Sequence, residues 1–142
     1  MSARPPAALG RLVRMFREAP EDLIVPALLD HGRRLADLPD GMVADTMEQV
    51  VECQSPFFFA VEIDDDGVHG HFTVPEEAPS TRGFASVLAE GIEGASPDEV
   101  LAIPDDLYRH LRLDTVVTDQ RLGGMEAVVK RLKRRVGELT SA

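Results

Sequence analysis

The sequence of 142 residues contains one cysteine, no tryptophan and few aromatic residues, which make up 5% of the chain. One cysteine excludes an intramolecular disulfide, and it also falls short of the several cysteine ligands that an iron–sulfur cluster normally requires. Because aromatic residues are scarce, a hydrophobic core must be built mainly from Leu, Val, Ile and Ala. Hydrophobic residues nevertheless make up 44% of the chain, which is enough to form such a core.

Positive charge is also in short supply, since 15 Lys and Arg stand against 25 Asp and Glu, a net charge of −10. Nucleic-acid phosphates and anionic lipids would be repelled by such a surface, so we expect neither nucleic acid nor a membrane as a partner. No run approaches the ~18 apolar residues of a membrane helix. The N-terminus lacks an apolar signal-peptide core behind Arg4. We therefore expect a cytoplasmic protein, either a monomer or a homodimer.

Hydrophobic periodicity divides the chain into a helical, an extended and a second helical part. Apolar residues recur at spacings of three and four in Asp22 to Leu35 and in Met125 to Leu139, as in amphipathic helices. Between them, alternation with period two in Phe57 to Ile63 and in Val68 to Val74 predicts a β-hairpin. Gln49 to Glu52 is expected to supply a further strand.

Helix signals return after the hairpin. The segment Ser96-Pro97-Asp98-Glu99 predicts a helix start, with a serine cap, proline at the first helical position and glutamate completing a capping box. The order of elements predicts an α+β domain, in which a small antiparallel sheet of about three strands is covered by helices from both ends of the chain. The length fits one domain over residues 1–142, with residues 1–9 expected to be a loosely ordered N-terminus.

Cys53 is the residue most suited to chemistry, because it follows a short apolar strand and precedes a predicted loop, Gln54-Ser55-Pro56. A thiol between strands can be presented to a partner and still be shielded by apolar neighbours. Sulfur transfer needs both properties, since a thiolate must attack the outer sulfur of a donor persulfide and the product must then be protected. The alternative interpretation is a lone cysteine that fills a small space in the core.

Other candidate sites have less support. His69 and His71 share a strand face, but no third or fourth metal ligand is evident beside them. The acidic turn before Gly67 imitates the start of a calcium loop, yet its twelfth position is Thr73 where a bidentate glutamate is needed. The sequence contains no phosphate-binding glycine loop or dinucleotide fingerprint. We therefore expect neither a metal site nor a cofactor in this chain.

Four stretches resemble the SufE family in order and spacing, over about residues 10–139. Val51-Glu52-Cys53-Gln54-Ser55 resembles the family's V-x-G-C-Q-S segment, which carries its sulfur-accepting cysteine. The other three are Leu28 to Pro39, Thr81-Arg82-Gly83-Phe84 and Thr118 to Val128. Each motif alone is weak evidence, but four in register make a specific resemblance.

The resemblance implies a SufE/IscU-like fold and a role in persulfide relay. Cys53 would accept sulfur from a cysteine desulfurase dependent on pyridoxal phosphate, accelerate that enzyme and pass the sulfur to an iron–sulfur scaffold complex. The cofactor belongs to the desulfurase, so this chain would be an accessory protein more than a free-standing enzyme. Arg121 corresponds to a family arginine near the cysteine, where a cation would stabilise the thiolate or persulfide.

One residue departs from the family pattern, because Glu52 stands where glycine commonly precedes the cysteine. A carboxylate facing the thiol would raise its pKa, but strand alternation predicts that the Glu52 side chain points away from Cys53.

Two other functions stay open on the sequence. The protein could be a non-chemical adaptor that regulates the desulfurase, with Cys53 incidental. It could also be an independent thiol enzyme such as a one-cysteine peroxidase, although it has no resolving cysteine.

Overall fold

The computed structural model describes residues 3–141, which form six α-helices and one three-stranded antiparallel sheet. Helices precede and follow the sheet, which confirms the predicted α+β class. Among the described residues, no helix is both long and apolar enough to cross a membrane. In chain order the elements are α1 (Ala7–Glu18), α2 (Ile24–Arg33), β1 (Glu48–Gln49), β2 (Phe58–Asp64), β3 (Gly67–Thr73), α3 (Pro79–Ile92), α4 (Pro97–Leu101), α5 (Leu107–His110) and α6 (Asp119–Thr140).

The sheet has the order β1-β2-β3, and the long hairpin of β2 and β3 confirms the period-two prediction. Phe59 lies opposite Phe72 across the hairpin, and both side chains are buried. Gly67 begins β3 at φ 110°, a left-handed conformation that favours glycine. A Cβ there would also lie 2.5 Å from the carbonyl oxygen of Gly94, so the hairpin needs glycine for two reasons.

Two predictions about element boundaries are wrong. The strand expected over Gln49 to Glu52 ends at Gln49, because the chain turns away at Val50. The argument from strand alternation therefore does not apply to Glu52. At the N-terminus, α1 begins at Ala7 and Leu9 is only 1% exposed, so residues 7–9 are not loosely ordered. Residues 1 and 2 of that predicted segment lie outside the described residues.

Helices α2 and α3 approach each other backbone to backbone. A Cβ at Gly83 of α3 would lie 2.2 Å from the carbonyl oxygen of Leu28, and a Cβ at Gly32 of α2 would lie 3.0 Å from the Gly83 nitrogen. The guanidinium of Arg82 donates a 2.6 Å hydrogen bond to the carbonyl of Val74, just after β3. These contacts fix the first turn of α3 beside the sheet.

The last helix covers the sheet with the apolar stripe that the sequence predicts. Met125, Val128 and Leu132 are buried on it, whereas Leu139, expected on the same stripe, is 38% exposed. The short helix α4 begins with the predicted capping box, in which the Ser96 side chain accepts from the Glu99 backbone and the Glu99 carboxylate accepts from the Ser96 backbone.

We predict that Gly83→Ala destabilises the protein by about 1–3 kcal/mol, the usual cost of overpacking, because α2 and α3 must separate to admit a methyl group. Gly137→Ala is a matched control on α6, since a Cβ at that position meets no heavy atom within 4 Å. It should leave stability unchanged or raise it by up to about 1 kcal/mol through better helix propensity. Urea unfolding of both variants measures the difference, and equal midpoints would contradict the described helix contact.

Candidate functional site

Cys53 lies on a loop of residues 50–57 that joins β1 to β2, which we call the Cys53 loop. Its two ends are held together where the Val50 N–H donates a 2.8 Å hydrogen bond to the Phe57 carbonyl, and both side chains are fully buried. The Cys53 N–H donates in turn to the Val50 carbonyl at 3.1 Å. Val51, by contrast, is 67% exposed. The loop thus presents its middle residues at the surface from a fixed base.

The thiol itself is half-buried and packs against Gly124 in α6. A Cβ at Gly124 would lie 3.0 Å from the Cys53 Sγ and 3.4 Å from its Cα, so glycine allows the loop to approach this close. Gly124 lies within Thr118 to Val128, one of the stretches that resemble the SufE family, but the sequence analysis gave it no role. The signal was a pair of glycines, Gly123 and Gly124, inside a helical pattern, where each glycine costs about 1 kcal/mol relative to alanine.

A pocket of about 50 Å³ opens beside the thiol. Its walls come from the Cys53 loop, from the start of α3 and from the first turn of α6, and they include Ser55, Thr81, Gln120 and Arg121. The structure therefore brings the two sequence-predicted site residues, Cys53 and Arg121, to one pocket. Three of the four stretches that resemble the SufE family contribute to its lining, although they are far apart in the sequence.

Glu52 is bound to α6 through a residue that the sequence analysis did not connect to the site. The guanidinium of Arg131 donates from Nε to the Glu52 Oε1 at 2.9 Å and from Nη2 to Oε2 at 3.2 Å. Its Nη1 donates to Glu48 at 2.9 Å. Arg134 also contacts Glu48 and pairs with Glu138 on its own helix. Arg131 thus ties the Cys53 loop and the start of β1 to α6.

These surroundings determine the acidity of the thiol. Burial raises the pKa of Cys53 to about 11, the Glu52 carboxylate raises it as well, and the Arg131 guanidinium opposes them. The same guanidinium, through its hydrogen bonds, lowers the pKa of the Glu52 carboxyl. Glu52 therefore acts on the thiol even though its side chain is directed to Arg131. In this arrangement Cys53 is protonated at neutral pH.

The two strand histidines are engaged by carboxylates. The ring nitrogens of His69 lie 2.8 Å from Asp64 and 2.7 Å from Glu93, and these hydrogen bonds, first that to Asp64, raise its pKa. His71 lies 2.7 Å from Glu62. Within residues 3–141 no three metal-binding side chains are grouped so that they could hold an ion.

Comparison with known proteins gives one family. Residues 10–136 match SufE, described as an Fe-S metabolism associated domain. Two uncharacterised SufE-like proteins of Mycobacterium tuberculosis, from strains H37Rv and CDC 1551, are 41% identical to this chain over 134 residues. The matched residues cover 94% of this chain and 94% of each relative. The solution structure of a hypothetical protein from Thermus thermophilus is similar with a TM-score of 0.86 and 35% identity, covering 97% of this chain and 99% of that one. The chain therefore belongs to the SufE family.

Proposed function

We propose that this protein accepts persulfide sulfur on Cys53 from a cysteine desulfurase, accelerates that enzyme and delivers the sulfur to an iron–sulfur scaffold complex. Its family is associated with Fe-S metabolism, which requires a supply of sulfur. The observation that carries the proposal is the placement of the single thiol, which is on a surface loop, half-buried and next to a small polar pocket. The relay takes place in the cytoplasm, and the pyridoxal phosphate belongs to the desulfurase.

The transfer step is an exchange at sulfur. The Cys53 thiolate attacks the outer sulfur of the donor persulfide, a new S–S bond forms at Cys53, and the S–S bond of the donor breaks. The donor cysteine leaves as a thiolate, and the proton that Cys53 has lost passes to solvent or to that leaving group. No external oxidant or reductant is consumed. Because the donor cysteine is emptied, the desulfurase is ready for its next turnover.

The pocket beside Cys53 suits the product of this step. Its volume of about 50 Å³ exceeds the roughly 10–15 Å³ that a cavity needs to hold a water molecule, so it has room for an added sulfur atom. Ser55, Thr81 and Gln120 bring hydroxyl and amide donors to it. Arg121 brings a positive charge, and its role in this proposal is to stabilise the anionic persulfide.

The acidity of Cys53 bears on the alternative functions. A peroxidase needs a low-pKa thiolate, whereas burial raises the pKa of this thiol to about 11. The relay needs a thiolate as well, so what disfavours an independent thiol enzyme is the lack of a second cysteine to resolve an oxidised Cys53.

We predict that the wild-type protein, incubated with a cysteine desulfurase and excess cysteine, gains the mass of a sulfur atom, and that Cys53→Ala does not. Intact-mass spectrometry gives the result directly, and circular dichroism confirms that the variant is folded. If the wild-type protein gains no sulfur while the desulfurase is active and bound to it, the proposed relay is refuted. Full stimulation of the desulfurase by Cys53→Ala would establish the adaptor in its place.

The proposed role of Arg121 has its own test. Arg121→Gln should slow the initial gain of sulfur by about two- to fivefold, the range that an exposed charge pair worth up to about 1 kcal/mol allows. Arg121→Lys should retain part of the rate because it keeps the positive charge. Lys130→Gln removes an exposed cation of the same helix that pairs with Glu126, away from the pocket, and should have no effect. Equal rates for the two glutamine variants would contradict a role for Arg121.

The contact at Gly124 predicts a change in the lifetime of the persulfide. Gly124→Ala places a methyl group 3.0 Å from the thiol sulfur, so the sulfur must move outward and its persulfide should be reduced several-fold faster by glutathione. At the neighbouring Gly123 a Cβ meets no heavy atom within 4 Å, which makes Gly123→Ala the matched control. Mass spectrometry of the decay measures both. A persulfide on Gly124→Ala that lasts as long as that of wild type would show that this contact does not protect it.

A further inference from the structure

Two residues of α6 hold the Cys53 loop. Gly124 receives the thiol of Cys53, and Arg131 binds the carboxylate of Glu52 through two parallel hydrogen bonds. They are seven residues apart, about two helical turns, so they lie on one face of α6 and about 10 Å apart along its axis. The loop residue that carries the thiol and the residue before it are thus attached to the helix separately.

The attached position is unfavourable for attack on a donor. Cys53 is half-buried in it, and its neighbours keep the thiol protonated. Attack requires a thiolate that a bulky donor can reach. Movement of the loop away from α6 would satisfy both needs at once, because it removes the burial and separates the sulfur from the helix. The Val50–Phe57 hydrogen bond at the base of the loop can stay in place during that movement.

We propose that the Glu52–Arg131 ion pair is a latch that holds the Cys53 loop against α6, and that a cationic side chain of the sulfur donor opens it by binding Glu52. Glu52 and Arg131 are positioning residues in this proposal, since they act through the location of Cys53. The latch can be tested on the isolated protein, whereas the identity of the opening group rests on the proposed function.

The contacts of Arg131 explain why Glu52 moves, and Arg131 stays in place, when the ion pair opens. Arg131 also binds Glu48, at the start of β1, and keeps that carboxylate when the loop departs. It is therefore not left without a counter-charge. The Glu52 side chain is already 47% exposed and would carry its negative charge outward with the loop. A Lys or Arg on the donor matches that charge, and the net charge of −10 on this protein favours a partner with a basic surface.

The test of the latch is the rate at which iodoacetamide alkylates Cys53 in the isolated protein at neutral pH. Glu52→Gln and Arg131→Gln both break the pair, so both should react faster than wild type, by about two- to fivefold for an exposed pair. Arg131→Lys keeps the charge and should give an intermediate rate. Glu138→Gln removes pairs with Arg134 and Arg135 further along the same helix and should react like wild type.

Arg131→Gln decides between a latch and a simple electrostatic effect. Glu52 raises the pKa of the thiol and Arg131 lowers it, so the electrostatic effect alone makes Glu52→Gln faster and Arg131→Gln slower. A latch makes both faster. Hydrogen exchange of the peptide that covers residues 50–57 should also quicken in both variants and not in Glu138→Gln. If Arg131→Gln is alkylated no faster than wild type, there is no latch.

The proposal that a cation of the donor opens the latch is tested by measuring how tightly the two variants bind the resting cysteine desulfurase in the absence of free cysteine. Both variants free the loop, but only Arg131→Gln still carries the Glu52 carboxylate, so it should bind several-fold more tightly than Glu52→Gln. Equal affinities would refute capture of Glu52 by the donor. The outcome is separate from that of the relay, because faster alkylation of Arg131→Gln together with no sulfur gain on Cys53 would refute the proposed function and leave the latch standing.

Discussion

The site depends on the contact of helix α6 with the Cys53 loop, whose middle residues lie outside the sheet. Within residues 3–141 the Cys53 loop has backbone hydrogen bonds only at its base and in one turn, so the position of the thiol depends on its contacts with α6. The helix offers a glycine surface at residue 124, a guanidinium at residue 131 and part of the pocket wall at residue 121. It can do so because the adjoining stripe of the helix, with Val128 and Leu132, is buried in the core. A helix packed in the core thereby sets the geometry of the Cys53 loop.

On the proposed function, the surroundings of Cys53 favour storage of sulfur over reactivity. Burial and a neighbouring carboxylate protect a sulfur atom from solvent reductants, but they also keep the thiol protonated and hard to reach. A sulfur carrier must be reactive when it loads and protected while it travels. One fixed position of the loop cannot satisfy both requirements, whereas two positions with a small energy difference can. Ion pairs at a protein surface are suited to that purpose, since each is worth at most about 1 kcal/mol.

The parts of the fold that follow local patterns could be predicted from the sequence. The hairpin has an alternating pattern and a glycine at its turn, and the capping box at Ser96 needs only four consecutive residues. The strand that precedes the hairpin, β1, was predicted too long, because the turn at Val50 that ends it is stabilised by a hydrogen bond to Phe57 and not by the local sequence.

The functional site shows the same division between residues that the sequence indicates and contacts that only the tertiary structure reveals. Cys53 was singled out by its position between strands and Arg121 through the resemblance to a family, and the structure places them at one pocket. The pair of Glu52 and Arg131 is separated by 79 residues, and nothing in the sequence near either residue points to the other. Arg131 lies among five cations in six residues, so charge alone did not distinguish it from its neighbours. Only the packing of α6 against the loop selects it.

The placement of a single thiol at the pocket has a consequence for stoichiometry. On the proposed function, the sulfur bonded to Cys53 is the only sulfur that the protein takes up, since the chain has no second cysteine. The protein then carries one sulfur equivalent per visit to the desulfurase. A cluster with two bridging sulfides would draw on two separate deliveries, so a carrier with one thiol would divide the supply of sulfur into single atoms.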